Sequence, residues 1–172
     1  MKSRRLPRIA LVWAAAVSLA AGVMPADAFP VNCQIALPAK VAWTAPITLQ
    51  MTLHNAGKQT LNVLNWHTPF EGFFSRYLKV TGPQGELAYG GALVKRGSPE
   101  RDEYLSIAAG KRATASVDLR DVYKFDVAGE YRVEYIGQLA DVRTDEKPRK
   151  LAQLVAMRLR CASVTVQLIA PG

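Results

Sequence analysis

Ile47, Leu49, Met51 and Leu53 alternate with Thr48, Gln50, Thr52 and His54. A period of two places the four apolar side chains on one face of an extended chain. The run therefore predicts a strand with one face on a core and His54 on the outward side. The same alternation recurs at Ala113, Ala115, Val117 and Leu119, at Tyr131, Val133 and Tyr135, and at Val164, Val166 and Leu168. Shorter apolar runs predict strands at Val31–Leu37, Leu61–Trp66, Phe73–Thr81, Glu86–Tyr89 and Tyr104–Ala108. Between them stand turn signals: Asn55-Ala56-Gly57-Lys58, Gly82-Pro83-Gln84-Gly85 and Ala109-Gly110-Lys111. Proline there presets φ and glycine tolerates positive φ.

The intervening stretches read differently. Ala92–Glu103, with Gly97 and Pro99, predicts a loop. Asp121–Gly129 predicts a corner with one helical turn. Asp141–Lys150 is charged, contains Pro148, and reads as an exposed excursion. Leu151–Met157 fits a short helix or an extra strand, and Arg158–Leu168 a final strand. Long helical periodicity, internal repeats and low-complexity tracts are absent after the first residues. Roughly seven to nine short alternating strands with turns between them predict an all-β, immunoglobulin-like antiparallel β-sandwich with Greek-key connections. Gly129-Glu130-Tyr131 resembles the corner of such sandwiches at which a tyrosine hydroxyl ties down the turn.

The N-terminus changes the picture of where this domain works. Lys2, Arg4, Arg5 and Arg8 precede an apolar run from Ile9 to Met24, and Ala26-Asp27-Ala28 is a small-x-small cleavage site. This predicts a signal peptide over residues 1–28, export to the periplasm or beyond, and one domain over 29–172. A membrane anchor fits less well. The run is short for a span, and Pro25 and the cleavage site follow it directly. No stable membrane insertion is expected after cleavage. The adjacent Arg4-Arg5 suits a twin-arginine leader poorly, because Leu-Pro-Arg follows.

The formal net charge of +8 counts four basic leader residues. The remainder is modestly basic with mixed signs, without the clustered basic and aromatic residues that nucleic-acid binding calls for. In an exported chain, Cys33 and Cys161 read as a disulfide, with two buried free thiols as the alternative. Cys161 is out of phase with Val164, Val166 and Leu168, whereas Cys33 is in phase with Ile35. A bulge or a bridge placed at an edge would reconcile the two.

Candidate chemistry is sparse. The two histidines, His54 and His67, stand apart from any His-Glu-x-x-His, and there is no Gly-x-Ser-x-Gly, phosphate-cradling Gly loop or Cys-x-x-Cys. Asp102 and Glu103 are adjacent, so on a strand they would point to opposite faces. The expectation is a non-enzyme with no cofactor and no metal site. Trp66, with Phe70, Phe73 and Phe74, fits either core filling or an aromatic recognition patch, Phe70 being the more outward. Lys95-Arg96 stands at the tip of the long loop, either solvated or engaging an acidic pocket.

Val63-Leu64-Asn65-Trp66 with Thr68-Pro69, then Tyr89-Gly90-Gly91 with Val94-Lys95-Arg96-Gly97-Ser98-Pro99, form a distinctive series. Tyr104-Leu105-Ser106-Ile107 with Ala109-Gly110, Asp118-Leu119 to Tyr123, and Gly129-Glu130-Tyr131-Arg132-Val133 continue it. This series resembles the N-terminal, non-catalytic domain of bacterial proteins of the deuterolysin and peptidyl-lysine metallopeptidase family. In that family the domain precedes a zinc peptidase bearing His-Glu-x-x-His, which this sequence does not contain.

The resemblance implies a pro-domain-like module that inhibits or helps fold a secreted metallopeptidase in trans. The expected contacts are Trp66, His67, Phe70, Tyr89, Lys95 and Arg96, with Lys95 imitating a substrate lysine. The alternative is an envelope module for glycans or matrix, with outward Trp and Tyr rings as a stacking platform.

Overall fold

A computed structural model describes residues 29–170. The predicted leader and cleavage site lie outside these residues. The described chain is all-β, with strands in several sheets and only three single-turn 3₁₀ segments.

One sheet joins β1 (Val31–Ala36), β3 (Thr48–Asn55) and β8 (Arg112–Asp118), all antiparallel. Met51 stands between Ile35 and Ala115 in the ladder, so three apolar positions share the inner face. The largest sheet has the order β2 (Lys40–Ala42), β13 (Val164–Ile169), β9 (Gly129–Tyr135), β5 (Leu78–Gly82), β6 (Gly85–Glu86). Its pairs are antiparallel except β2 with β13, which is parallel, so the wholly antiparallel expectation is corrected there. A parallel edge is possible because the long crossover from β2 to β13 passes through most of the domain.

A third sheet places β4 (Leu61–Leu64) between β11 (Val142–Arg143) and β7 (Tyr104–Ile107). The two-residue strands β10 (Gln138–Leu139) and β12 (Met157–Arg158) pair with each other.

The inward phases of these strands meet in one apolar cluster. Leu49, Met51 and Leu53 of β3, Tyr131 and Val133 of β9, and Val166 and Leu168 of β13 are all buried there. The corner before β9 is tied as the sequence suggests: the Tyr131 hydroxyl donates to the Val127 carbonyl at 2.5 Å. Gly129, which opens that strand, has φ +143°, and a Cβ on it would stand 2.6 Å from Pro83 Cγ. Only glycine meets both conditions.

Cys33 and Cys161 are bridged, with Cα atoms 5.0 Å apart. The bond joins β1 of one sheet to the segment entering β13 of another. The phase conflict disappears because β13 begins at Val164, so Cys161 precedes the strand and follows no strand periodicity.

Two further expectations are corrected. Phe73–Tyr77 is irregular, and strand pairing begins only at Leu78. The exposed excursion is shorter than Asp141–Lys150. Asp141, Val142 and Arg143 are buried, and the last two pair with β4. Asp141 tolerates burial because its carboxylate accepts from the Tyr104 hydroxyl at 3.0 Å, from Arg149 at 2.9 Å and from the Val155 N–H.

Candidate functional site

Beyond Leu64 the chain leaves the sheet and winds through residues 65–77 with no strand pairing. The loop 89–103 packs against this winding segment. One carboxylate organises the junction. Glu71, almost entirely buried, accepts from the His67 backbone N–H at 2.7 Å through Oε1 and pairs with the Arg96 guanidinium through Oε2. His67 has φ 60°, the left-handed region that non-glycine residues seldom occupy. That twist presents its N–H to Glu71. Its carbonyl is held by the Tyr135 hydroxyl at 3.0 Å and its ring Nδ1 by Ser75 Oγ at 2.8 Å.

Arg96 returns from the loop and lays its guanidinium over the Trp66 ring, 5.0 Å from the centroid. Trp66 is 3% exposed, and its indole N–H donates to Glu103 Oε1 at 2.7 Å. Glu103 also receives the Glu100 N–H through its side chain and the Asn65 N–H through its carbonyl. The middle and the far end of the loop are thus joined to the winding segment by charged and aromatic contacts. In its first half, Tyr89 Oη lies 3.2 Å from the Phe73 carbonyl and 3.1 Å from that of Ala92, and the Val94 N–H donates to the Phe74 carbonyl at 3.2 Å.

Burial sets the electrostatics. Desolvation raises Glu71 above its ordinary value, and the His67 N–H and Arg96 offset only part of that rise. Desolvation, with the nearby Arg96 charge, lowers His67, so its ring is neutral near pH 7. Burial also raises Tyr77 and Tyr135, which stay protonated as donors to the carbonyls of Gly72 and His67.

The six residues singled out from the sequence therefore divide. Trp66 and Arg96 form the inner brace. His67, Phe70 and Tyr89 are half-buried, and Lys95 is exposed with no ion pair among the described residues. Leu93, 75% exposed, and Val94, 41%, were not singled out as contacts, and of the aromatics in the turn it is Phe74, 48% exposed, and not Phe70 that faces outward. The Val94–Phe74 backbone bond brings two of them together. Glu71 was missed as well. A lone acid between Phe70 and Gly72 in an aromatic-rich turn was the available signal, since such an acid must find donors to be buried.

Glu71, Glu103 and the His67 ring each have partners within the junction, whereas Arg96 Nε is buried without one, and the described residues contain no group of three or more His, Cys, Asp or Glu able to hold a metal ion. No described helix is long and apolar enough to cross a membrane.

No protein-family model matches the chain. It is similar to an extracellular protease of Aeromonas hydrophila, 26% identical over 149 residues that make up 86% of this chain. The match covers 42% of that relative's length. Among solved structures, the CARDB domain of a Pyrococcus furiosus protein, in complex with di-metal ions, aligns with 83% of this chain and 96% of its own. The TM-score is 0.37 and the identity 13%. A β-glucosidase of Listeria innocua, in complex with isofagomine, aligns over 84% of this chain and 16% of its own, at TM-score 0.37 and 11% identity. Both structures are distant likenesses.

Proposed function

We propose that this chain is an exported, non-catalytic protein-binding module of immunoglobulin-like sandwich form, and that its partner is the catalytic domain of a secreted metallopeptidase, which it inhibits or helps to fold. The observation that carries this reading is the braced loop. Leu93, Val94 and Phe74 leave apolar surface exposed, while Arg96, Glu71 and Trp66 fix the backbone beneath them. An apolar cluster on a preorganised base is what a protein interface uses, because little ordering entropy remains to be lost on docking.

The likeness to an extracellular protease supports the choice of partner. The match takes in less than half of that relative, which leaves room in it for a separate catalytic portion. Lys95, exposed beside this cluster, suits a peptidase whose substrate residue is lysine. The glycan reading draws less support. A stacking platform needs an outward ring face, and Trp66 is buried under Arg96.

The test is a titration of a lysine-specific metallopeptidase with the chain from residue 29 onward. The expected result is a saturable 1:1 complex with a changed rate of peptide cleavage or of peptidase refolding. Neither binding nor any rate change would remove the proposal.

A further inference from the structure

A second surface lies apart from the loop at 89–103 and meets the winding segment at His67 and Arg76. It is a groove of about 760 Å³ bordered by Arg76, Arg158, Arg160 and His67, with Ile136 and Leu159 between them. No carboxylate lines it. Arg76 has an exposed partner in Glu86, whereas Arg158 and Arg160 form no ion pair among the described residues.

The two free arginines are held in a fixed relation. Arg158 is exposed, Leu159 buried and Arg160 exposed, the alternation of an extended chain, which sends both guanidinium groups to the same side. The segment is anchored at both ends. Before it, Arg158 pairs with Gln138 in the β10–β12 ladder; after it, Cys161 is bridged to Cys33. Outside the strand ladders, the backbone groups of residues 159–163 make no backbone hydrogen bond among the described residues. The segment is therefore an extended edge whose main chain lacks ladder partners and whose two arginines leave the backbone about 7 Å apart, the repeat of two residues in a strand.

We propose that this groove binds an extended acidic polypeptide segment carrying carboxylates at alternate positions, which adds as a strand beside residues 159–161. Alternate side chains of such a segment face one way, so two carboxylates meet Arg158 and Arg160 while the main chain fills the free edge. Arg76 adds a further cation to the groove, and Ile136, 50% exposed, offers apolar contact beside the arginines. Charge complementarity selects an anion. The backbone edge selects a polypeptide over a sulfated sugar. The one aromatic in the lining, Tyr135, is buried with its hydroxyl tied to the His67 carbonyl, so it offers no ring face for sugar stacking. This proposal stands whether or not the loop at 89–99 docks a peptidase.

The test uses the disulfide-intact chain and a fluorescein-labelled peptide of alternating Asp and Val. A second peptide with Asn in place of Asp and a heparin oligosaccharide serve as comparators. Anisotropy should show 1:1 saturation by the Asp peptide, at least about tenfold tighter than the Asn peptide and weakened by added salt. R158E/R160E should lower its affinity by about tenfold or more, while K95E leaves it unchanged. In the wild-type chain, amide shifts on peptide addition should centre on Gln138 and residues 159–163, a readout that needs no variant to fold. Any of four results would overturn the proposal: no binding of the Asp peptide, equal binding of both peptides, unchanged affinity in R158E/R160E, or binding of heparin alone.

Discussion

Glu71 decides more of the local structure than any other single side chain. Its carboxylate is buried, yet desolvation makes the charge costly. What it supplies without substitute is an acceptor for the His67 N–H at a strained φ and for Arg96. Glu71→Ala should therefore cost about 2–3 kcal/mol in urea unfolding, because it orphans both donors. Glu71→Gln, which keeps an acceptor and discards the expensive charge, should cost about 1 kcal/mol or less.

The pH behaviour follows with opposite signs for two neighbours. The folded-state pKa of Glu71 is raised above 4.5, so its contribution is full below that value and is lost as pH rises through the folded one. That of His67 is lowered from 6.5, so its contribution is full above 6.5 and is lost as pH falls through the folded value. His67→Asn tolerates the left-handed backbone and does not titrate. Its stability, followed by denaturant titration from pH 7 to 5, should fall less steeply than that of the wild type. Neither residue's environment was legible in the sequence. A one-dimensional pattern marks an aromatic turn but not which acid lies under it, and the inward turn of Trp66 depends on the partner that Glu103 provides from 37 positions away.

At the scale of elements, strands with one dry and one wet face were the most legible. β3, β9 and β13 follow the period-two pattern because solvent and core impose it directly. Phe73–Tyr77 misled for a physical reason. Its aromatics look like strand residues, but Phe73 stacks on Tyr77 with ring centroids 5.7 Å apart, and the Tyr77 hydroxyl folds back to the Gly72 carbonyl. Local closure there takes the place of a ladder. Asp141–Arg143 misled in the opposite sense, because charge suggested exposure while Tyr104 and Arg149 made burial tolerable.

The corner at Gly129 was signalled by glycine and by Tyr131 together. Gly129→Ala meets both a positive φ and the Pro83 ring, so it should destabilise by about 2 kcal/mol or more in thermal or urea unfolding. The braced loop should remain structured in that variant wherever the fold is populated, because its anchors are Glu71, Trp66 and Tyr89.

At the scale of the molecule, one apolar cluster is shared by the sheets, and a single disulfide closes the chain over 128 residues. The pairing was inferred from export and an even cysteine count, and it is present. Replacing both cysteines by serine should lower stability by up to about 4–5 kcal/mol by the chain-entropy argument, read as a shift in the denaturant midpoint. The segment at residues 159–163 should loosen with it, since Cys161 is one of its two anchors. Topology was less legible than strand content. The parallel pairing of β2 with β13 joins residues more than a hundred positions apart, and no local pattern encodes such a partner.

In the proposed function, the braced loop presents Leu93, Val94 and Phe74 to a protein partner. Hydrogen exchange on the chain, alone and with a metallopeptidase catalytic domain, tests it most directly. New protection is expected to concentrate in residues 73–74 and 90–99 and to be abolished by L93D/V94D. Protection confined to other surfaces, or an unchanged exchange pattern in a complex proven to form, would contradict it.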